Sequence, residues 1–215
     1  MSVKDWFIAL YNAQRQIIDP YDETIEPILD WEGHRADVKN DRGGKTLWGF
    51  ASMAGDKPSE HAAWVKEWWD APAEISRLEA KKRYRAFYWY RANCDAIPFP
   101  FSYVMMDMVI HHGWEKKPPY RCRGVMFLQR ALRIQDDGLF GPQTEDTIND
   151  LSIDFYAEYL RAFQAYRIQF MRKIVANDAT QEDFEIGWYK RVFKIDADAQ
   201  RYAAKLRNGK LKIKV

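Results

Sequence analysis

Glu32 stands where a core residue should be. Ile25, Ile28 and Leu29 share one face of a short helix at i, i+3, i+4 spacing, and the carboxyl of Glu32 falls at i+7 on that same face. A carboxyl held against apolar neighbours loses hydration when it ionises, which raises its pKa and lets it keep a proton near neutral pH. Such a group is equipped for general acid catalysis. Gly33 reads as the helix stop, and the run Asn40-Asp41-Arg42-Gly43-Gly44 reads as a tight glycine turn leading into a strand. The turn brings a second carboxylate, Asp41, back towards Glu32. Two carboxylates on separate rigid supports can cleave a glycosidic bond.

Taken singly, each of these residues has a plainer role. A Glu at the end of an apolar helical face commonly reaches water. Asp41 suits a turn that bonds its own backbone, Gly43 and Gly44 suit positive φ, and Thr46 is an ordinary strand residue. The string as a whole is more specific. Glu32-Gly33, Asp41 nine positions on, Gly43-Gly44, Thr46 and Gly49 together resemble the signature of glycoside hydrolase family 108, N-acetylmuramidases found among phage endolysins. The resemblance continues at Glu79-Ala80, Tyr84, Tyr88-Trp89 and Pro98, then at Asp107, Ile110 and Gly113. It extends through Leu128-Gln129, Ala131-Leu132, Asp137-Gly138, Gly141-Pro142 and Thr144 to Gly187-Trp188 and Arg191.

That resemblance implies an α+β, mostly α-helical fold: a lysozyme-like helical lobe with one small β-hairpin, followed by a helical C-terminal lobe similar to a peptidoglycan-binding motif. It implies Glu32 as the acid that protonates the leaving oxygen. Asp41, with Thr46 beside it, would position or activate water or stabilise the oxocarbenium-like transition state. Gly43 and Gly44 would let the backbone come near the sugar, and His34, Arg35, Trp48 and His111 would complete the substrate contacts. Two departures stand out. His34 and Arg35 replace a glycine and an aromatic after the Glu-Gly pair, and His111-His112 replace an asparagine ahead of Gly113.

Composition bounds the alternatives. Of 215 residues, 47% are hydrophobic and 30% charged, the balance of a soluble globular protein with one domain or two closely packed lobes. A net charge of +2 supplies no broad basic field for nucleic acid. Nine Trp, twelve Tyr and twelve Phe would serve mostly as core, with a minority free to pack on sugar rings. Cys94 and Cys122 are too few for a disulfide framework and are expected as reduced thiols. His34 and His61 are isolated, and neighbouring His111 and His112 should point to different sides of a helix, so neither a metal nor a cofactor is expected.

The elements that must position the site read mostly as helices. Residues 2–18 suggest an amphipathic helix ended by Pro20. Thr24 is a plausible N-cap for the next helix, with Pro27 at its third position. Residues 36–50 suggest a hairpin, and helices are expected over 59–70, 74–93, 101–113, 121–133, 142–152 and 153–177. Pro118-Pro119 marks the boundary between lobes. The divisions expected are thus an extension over 1–19, a catalytic lobe over 20–117, a binding lobe over 118–200 and a basic tail over 201–215. The tail, with Lys205, Arg207, Lys210, Lys212 and Lys214, is either solvated or drawn to anionic polymers or head groups.

The apolar stretch near the start, Trp6 to Leu10, is too short for a signal peptide or a membrane span. The chain is therefore expected in a cytoplasm, as a monomer, with an agent such as a holin giving it access to the peptidoglycan glycan strands it would cut. A lytic transglycosylase relying on Glu32 alone, or a wall-binding protein without catalysis, are the competing readings. Mass spectrometry of wall digests separates them: hydrolysis is expected to leave reducing ends, whereas anhydro-muramyl ends would contradict it.

Overall fold

Strand β1 (Gln16–Ile18) leads directly into helix α1 (Pro20–Glu32), in a computed structural model that describes residues 16–37, 44–54, 56–115 and 117–214. Pro20 sets the start of α1, because its fixed φ and missing N–H suit the first helical position. Thr24 is therefore not the N-cap; it lies buried in the helix interior, and Pro27 sits inside the helix as well. Pro27 removes one main-chain hydrogen bond. Burial of Tyr21, Ile25, Ile28 and Leu29 outweighs that loss, at about 1.5–3 kcal/mol for each large apolar side chain.

Short strands follow: β2 (Arg35–Ala36), β3 (Thr46–Leu47), β4 (Phe50–Ala51), β5 (Met53–Ala54) and β6 (Lys57–Pro58). The expected hairpin is thus a three-stranded antiparallel sheet in the order β2-β3-β4, with Ala36 opposite Thr46 and Leu47 opposite Phe50, while β5 pairs with β6. Helices α2 (Ala62–Trp68) and α3 (Ala73–Tyr84) complete one compact unit, Tyr21–Phe87. Ion pairs fasten α3 to α1: Arg77 reaches Glu26 at 2.7 Å and Asp30 at 2.8 Å, and Lys81 also meets Glu26.

The second unit comprises Tyr88 onward with the described residues up to Pro20. Helix α4 (Phe101–His112) is buried at every residue from Phe101 to Val109, as its almost unbroken apolar run requires. Around it come α5 (Arg123–Leu132), α6 (Pro142–Asn149) and the long antiparallel pair α7 (Tyr156–Asn177) and α8 (Glu182–Arg207). Helix α4 packs on α5 and α8, which groups it by compactness with the helices that follow. Cys94 and Cys122 are buried free thiols.

Two expectations about the chain ends change. Residues 16–18 form a strand rather than the end of a helix, pairing in parallel with β7 (Leu211–Ile213); the rest of the helix expected over 2–18 lies outside the described residues. The basic segment is likewise not a tail. It is the last turn of α8 followed by β7, with Leu211 buried, since main-chain pairing across almost the whole sequence organises it.

A buried charge cluster holds α4, α7 and α8 together. Asp107 contacts Arg167 at 2.7 Å and Arg191 at 2.8 Å, and Arg167 has no exposed side-chain surface. The Arg167 guanidinium also donates to His112 Nε2 at 3.1 Å and meets His111 Nδ1 at 3.0 Å, where the imidazole is the acceptor. The two histidines do not diverge; their rings stack at 4.5 Å, because both turn towards the same cation. Burial, then the Arg167 charge, pushes His111 down to about 4 and His112 down to about 2. Burial alone would raise Asp107, but Arg167 and Arg191 hold it at about 2.

These shifts make the fold acid-sensitive. Unfolded imidazoles titrate near about 6.5, so between pH 6.5 and the folded values the unfolded chain binds more protons and stability falls as pH falls. His61 in the other unit, pushed by burial to about 4, acts in the same direction. Asp107 adds a further loss only below its unfolded value of about 4. Thermal unfolding followed by circular dichroism is expected to give a midpoint that drops steadily from pH 6.5 to pH 4, and a His111→Gln/His112→Gln variant is expected to show a shallower slope.

Candidate active site

Glu32 is the last residue of α1, half-buried at the end of the apolar face formed by Ile25, Ile28 and Leu29. Gly33 follows at φ 74° and donates its N–H to the Leu29 carbonyl at 3.1 Å, a left-handed cap that ends the helix at the acid. The chain then enters the sheet. Between β3 and β4 the two-residue turn is Trp48-Gly49, with φ of 48° and 79°, the pattern of a type I′ turn. Positive φ is rare for a residue as bulky as Trp.

Several contacts hold Trp48 in this conformation. Its N–H donates to the His34 carbonyl at 2.8 Å, and its own carbonyl accepts from the Tyr84 hydroxyl at 2.9 Å. Its indole N–H donates to Ser76 Oγ at 3.0 Å, and the Arg77 guanidinium lies 5.1 Å from the ring centroid. The His34 ring is 4.8 Å away, and His34 Nε2 shares Ser76 Oγ at 3.1 Å. Partial burial, then the Arg35 charge, lowers His34 below the usual imidazole range.

The turn in turn positions the acid. A Cβ on Gly49 would lie 2.6 Å from the Tyr84 hydroxyl, 3.0 Å from Glu32 Oε2 and 3.1 Å from Glu32 Cβ. The Glu32 side chain therefore runs along the bare backbone of Gly49, which is flanked by the Tyr84 hydroxyl. Three elements, α1, the β3–β4 turn and α3, converge on one carboxyl.

The other expected site residues divide. Asp41 and Gly43 lie outside the described residues. Thr46 begins β3 and pairs with Ala36 and Ala51. Gly44 has φ 62°, and a Cβ there would meet Met53 Cγ at 2.8 Å and Ser52 Oγ at 2.9 Å; the protein itself occupies the space beside it. Trp48 is only 6% exposed, so it acts as a support rather than an open platform for a sugar. Arg35 is exposed, donates to the Ala71 carbonyl at 2.6 Å and lies 5.9 Å from the Trp69 ring centroid. His111 belongs to the helical unit and its Arg167 cluster. Gly49 and Tyr84 were visible in the motif string without being assigned to the site, while Ser76 and Trp69 carried no sequence signal of their own.

Residues 25–113 match the family described as Glycosyl hydrolase 108, and residues 123–193 match the one described as Predicted Peptidoglycan domain. The chain thus carries a glycosyl hydrolase 108 domain ahead of a peptidoglycan domain. The glycosyl hydrolase 108 domain contains Glu32, the Trp48-Gly49 turn and Tyr84 entire, and the second domain follows in chain order. No curated protein matches the sequence. Among solved structures, SagA of Brucella abortus shares the fold at 19% identity with a TM-score of 0.61, covering 85% of this chain and 95% of that one.

Gly49 has both a backbone and a spatial reason to be glycine, which makes it a sensitive probe of the site. Gly49→Ala is expected to cost about 1–3 kcal/mol in denaturant unfolding through strain at positive φ. By displacing Glu32 it is expected to lower glycan hydrolysis about 10²-fold in a reducing-end assay.

Proposed function

We propose that this glycoside hydrolase is an N-acetylmuramidase, cleaving the β-1,4 bond between N-acetylmuramic acid and N-acetylglucosamine in peptidoglycan, and so lysing cells. The observation that carries this reading is the Glu32 carboxyl laid against the Gly49 backbone beside the Tyr84 hydroxyl, within a glycosyl hydrolase 108 domain that precedes a peptidoglycan domain.

In this mechanism Glu32 gives its proton to the glycosidic oxygen as the bond from that oxygen to the anomeric carbon breaks. Water supplies hydroxide to the anomeric carbon, and its remaining proton returns to a carboxylate. Asp41 activates that water or stabilises the positive charge developing on the ring, and Thr46 assists from the start of β3. Tyr84 acts as a positioning residue: by donating to the Trp48 carbonyl it fixes the turn on which Glu32 rests. The second domain would keep the enzyme on the wall polymer between cuts. The substrate is then the periplasmic glycan strand, reached from the cytoplasm through a holin-type opening.

The test is a reducing-end assay on purified sacculi. Glu32→Gln is expected to abolish release of reducing ends while the circular dichroism spectrum stays that of wild type, and Asp41→Asn is expected to slow it by about 10²-fold or more. Wild-type rates in Glu32→Gln would overturn the assignment.

A further inference from the structure

Two cations converge on one indole at the far end of the ladder that begins beside Glu32. Arg35 lies in β2, three residues beyond the acid, and Lys45 immediately precedes β3. Extending the antiparallel register by one step sets Lys45 on the same face of the sheet as Arg35 and diagonal to it. Both meet Trp69: Lys45 Nζ is 4.7 Å and the Arg35 guanidinium 5.9 Å from the ring centroid. Arg35 is fixed further by its 2.6 Å bond to the Ala71 carbonyl.

Among the described residues neither cation forms an ion pair with a carboxylate, although the same extended register sets Asp37 opposite Lys45 and Asp70 follows Trp69 in the chain. Like charges held at one ring repel each other, and the face of an aromatic ring compensates only part of that. A carboxylate placed between them relieves the repulsion and gains charge-assisted hydrogen bonds from both. The half-exposed indole beside them offers an apolar face to a sugar ring.

We infer that Arg35, Lys45 and Trp69 form a subsite for a carboxylate-bearing sugar, which makes the enzyme prefer acidic glycan over a neutral polymer of the same linkage. This rests on the muramidase reading and deepens it, because peptidoglycan carries carboxylates in two places: the lactyl group of muramic acid once its peptide is removed, and the peptide stem itself. His34 links the subsite to the acid, since its carbonyl accepts from Trp48 N–H while Arg35 follows it in the chain. A carboxylate seated on the two cations would fix the register of the glycan relative to Glu32.

The experiment measures binding rather than turnover. In a Glu32→Gln background, calorimetric Kd values are taken for stem-bearing glycan fragments, for amidase-stripped strands with free lactyl carboxylates, and for both after carbodiimide amidation. Arg35→Gln/Lys45→Gln is expected to weaken binding of carboxylate-bearing strands by about five- to tenfold and to leave amidated strands unchanged. A loss confined to stripped strands identifies the lactyl group; a loss confined to stem-bearing fragments identifies the peptide. Equal effects on free and amidated strands, or no binding to any strand, overturn the subsite. Should Glu32→Gln still hydrolyse glycan, the catalytic assignment fails while the charge effect on Kd is still read.

Discussion

The hydrogen bond from the Tyr84 hydroxyl to the Trp48 carbonyl ties α3 to the β3–β4 turn, and the placement of Glu32 depends on that tie. An acid that must protonate one particular oxygen needs its carboxyl fixed to a fraction of an ångström. A helix end alone does not achieve this, because the last turn of a helix frays. Here the side chain rests on the backbone of Gly49, and the turn carrying Gly49 is held in a conformation that Trp48 disfavours. The strain at Trp48, about 1–3 kcal/mol, is offset by three hydrogen bonds to Trp48, each contributing about 0.5–1.5 kcal/mol. The indole is consequently spent on support, which explains why a tryptophan next to the acid is buried instead of open to a sugar.

The helical unit solves a different problem. Helix α4 carries Asp107 into a fully buried position, where an unpaired carboxylate would be prohibitively unstable. Two arginines from α7 and α8 neutralise it, and neutral His112 and His111 accept from Nε and Nη2 of Arg167. Such a network adds little net stability over apolar packing, but it demands one register of three helices. It also explains the histidine pair at the end of α4: the pair serves the arginine cluster of its own unit.

Charge has a further role around the sheet. Arg77 and Arg83 lie over the rings of Trp48, Phe50, Trp64 and Phe87, so much of the aromatic content of the catalytic domain is packed beneath arginines. Arg35 and Lys45 over Trp69 differ from these because both cations are exposed to solvent. The same pairing of cation and ring serves as packing where it is covered and as a surface for ligand where it is open.

Local features of the chain were legible without the fold. The i, i+3, i+4, i+7 face of α1, the stop at Gly33, the strand signal around Thr46, the long helix α7 and the motif string of the family all depend on residues close in sequence, whose preferences act within a turn or two. Misplaced boundaries arose where a local preference was overridden, as at Thr24, which tertiary burial drew into the helix interior. Contacts between distant residues were invisible. The pairing of Gln16–Ile18 with Leu211–Ile213, the convergence of both histidines on Arg167, and the meeting of Tyr84, Gly49 and Glu32 depend on where the folded backbone brings separate elements together. Sequence alone thus determined that a carboxyl, Glu32, closes the apolar face of α1 and where that helix ends, because propensity and periodicity are short-ranged. Only the tertiary structure decided what that acid leans on, because packing is a property of space rather than of chain order.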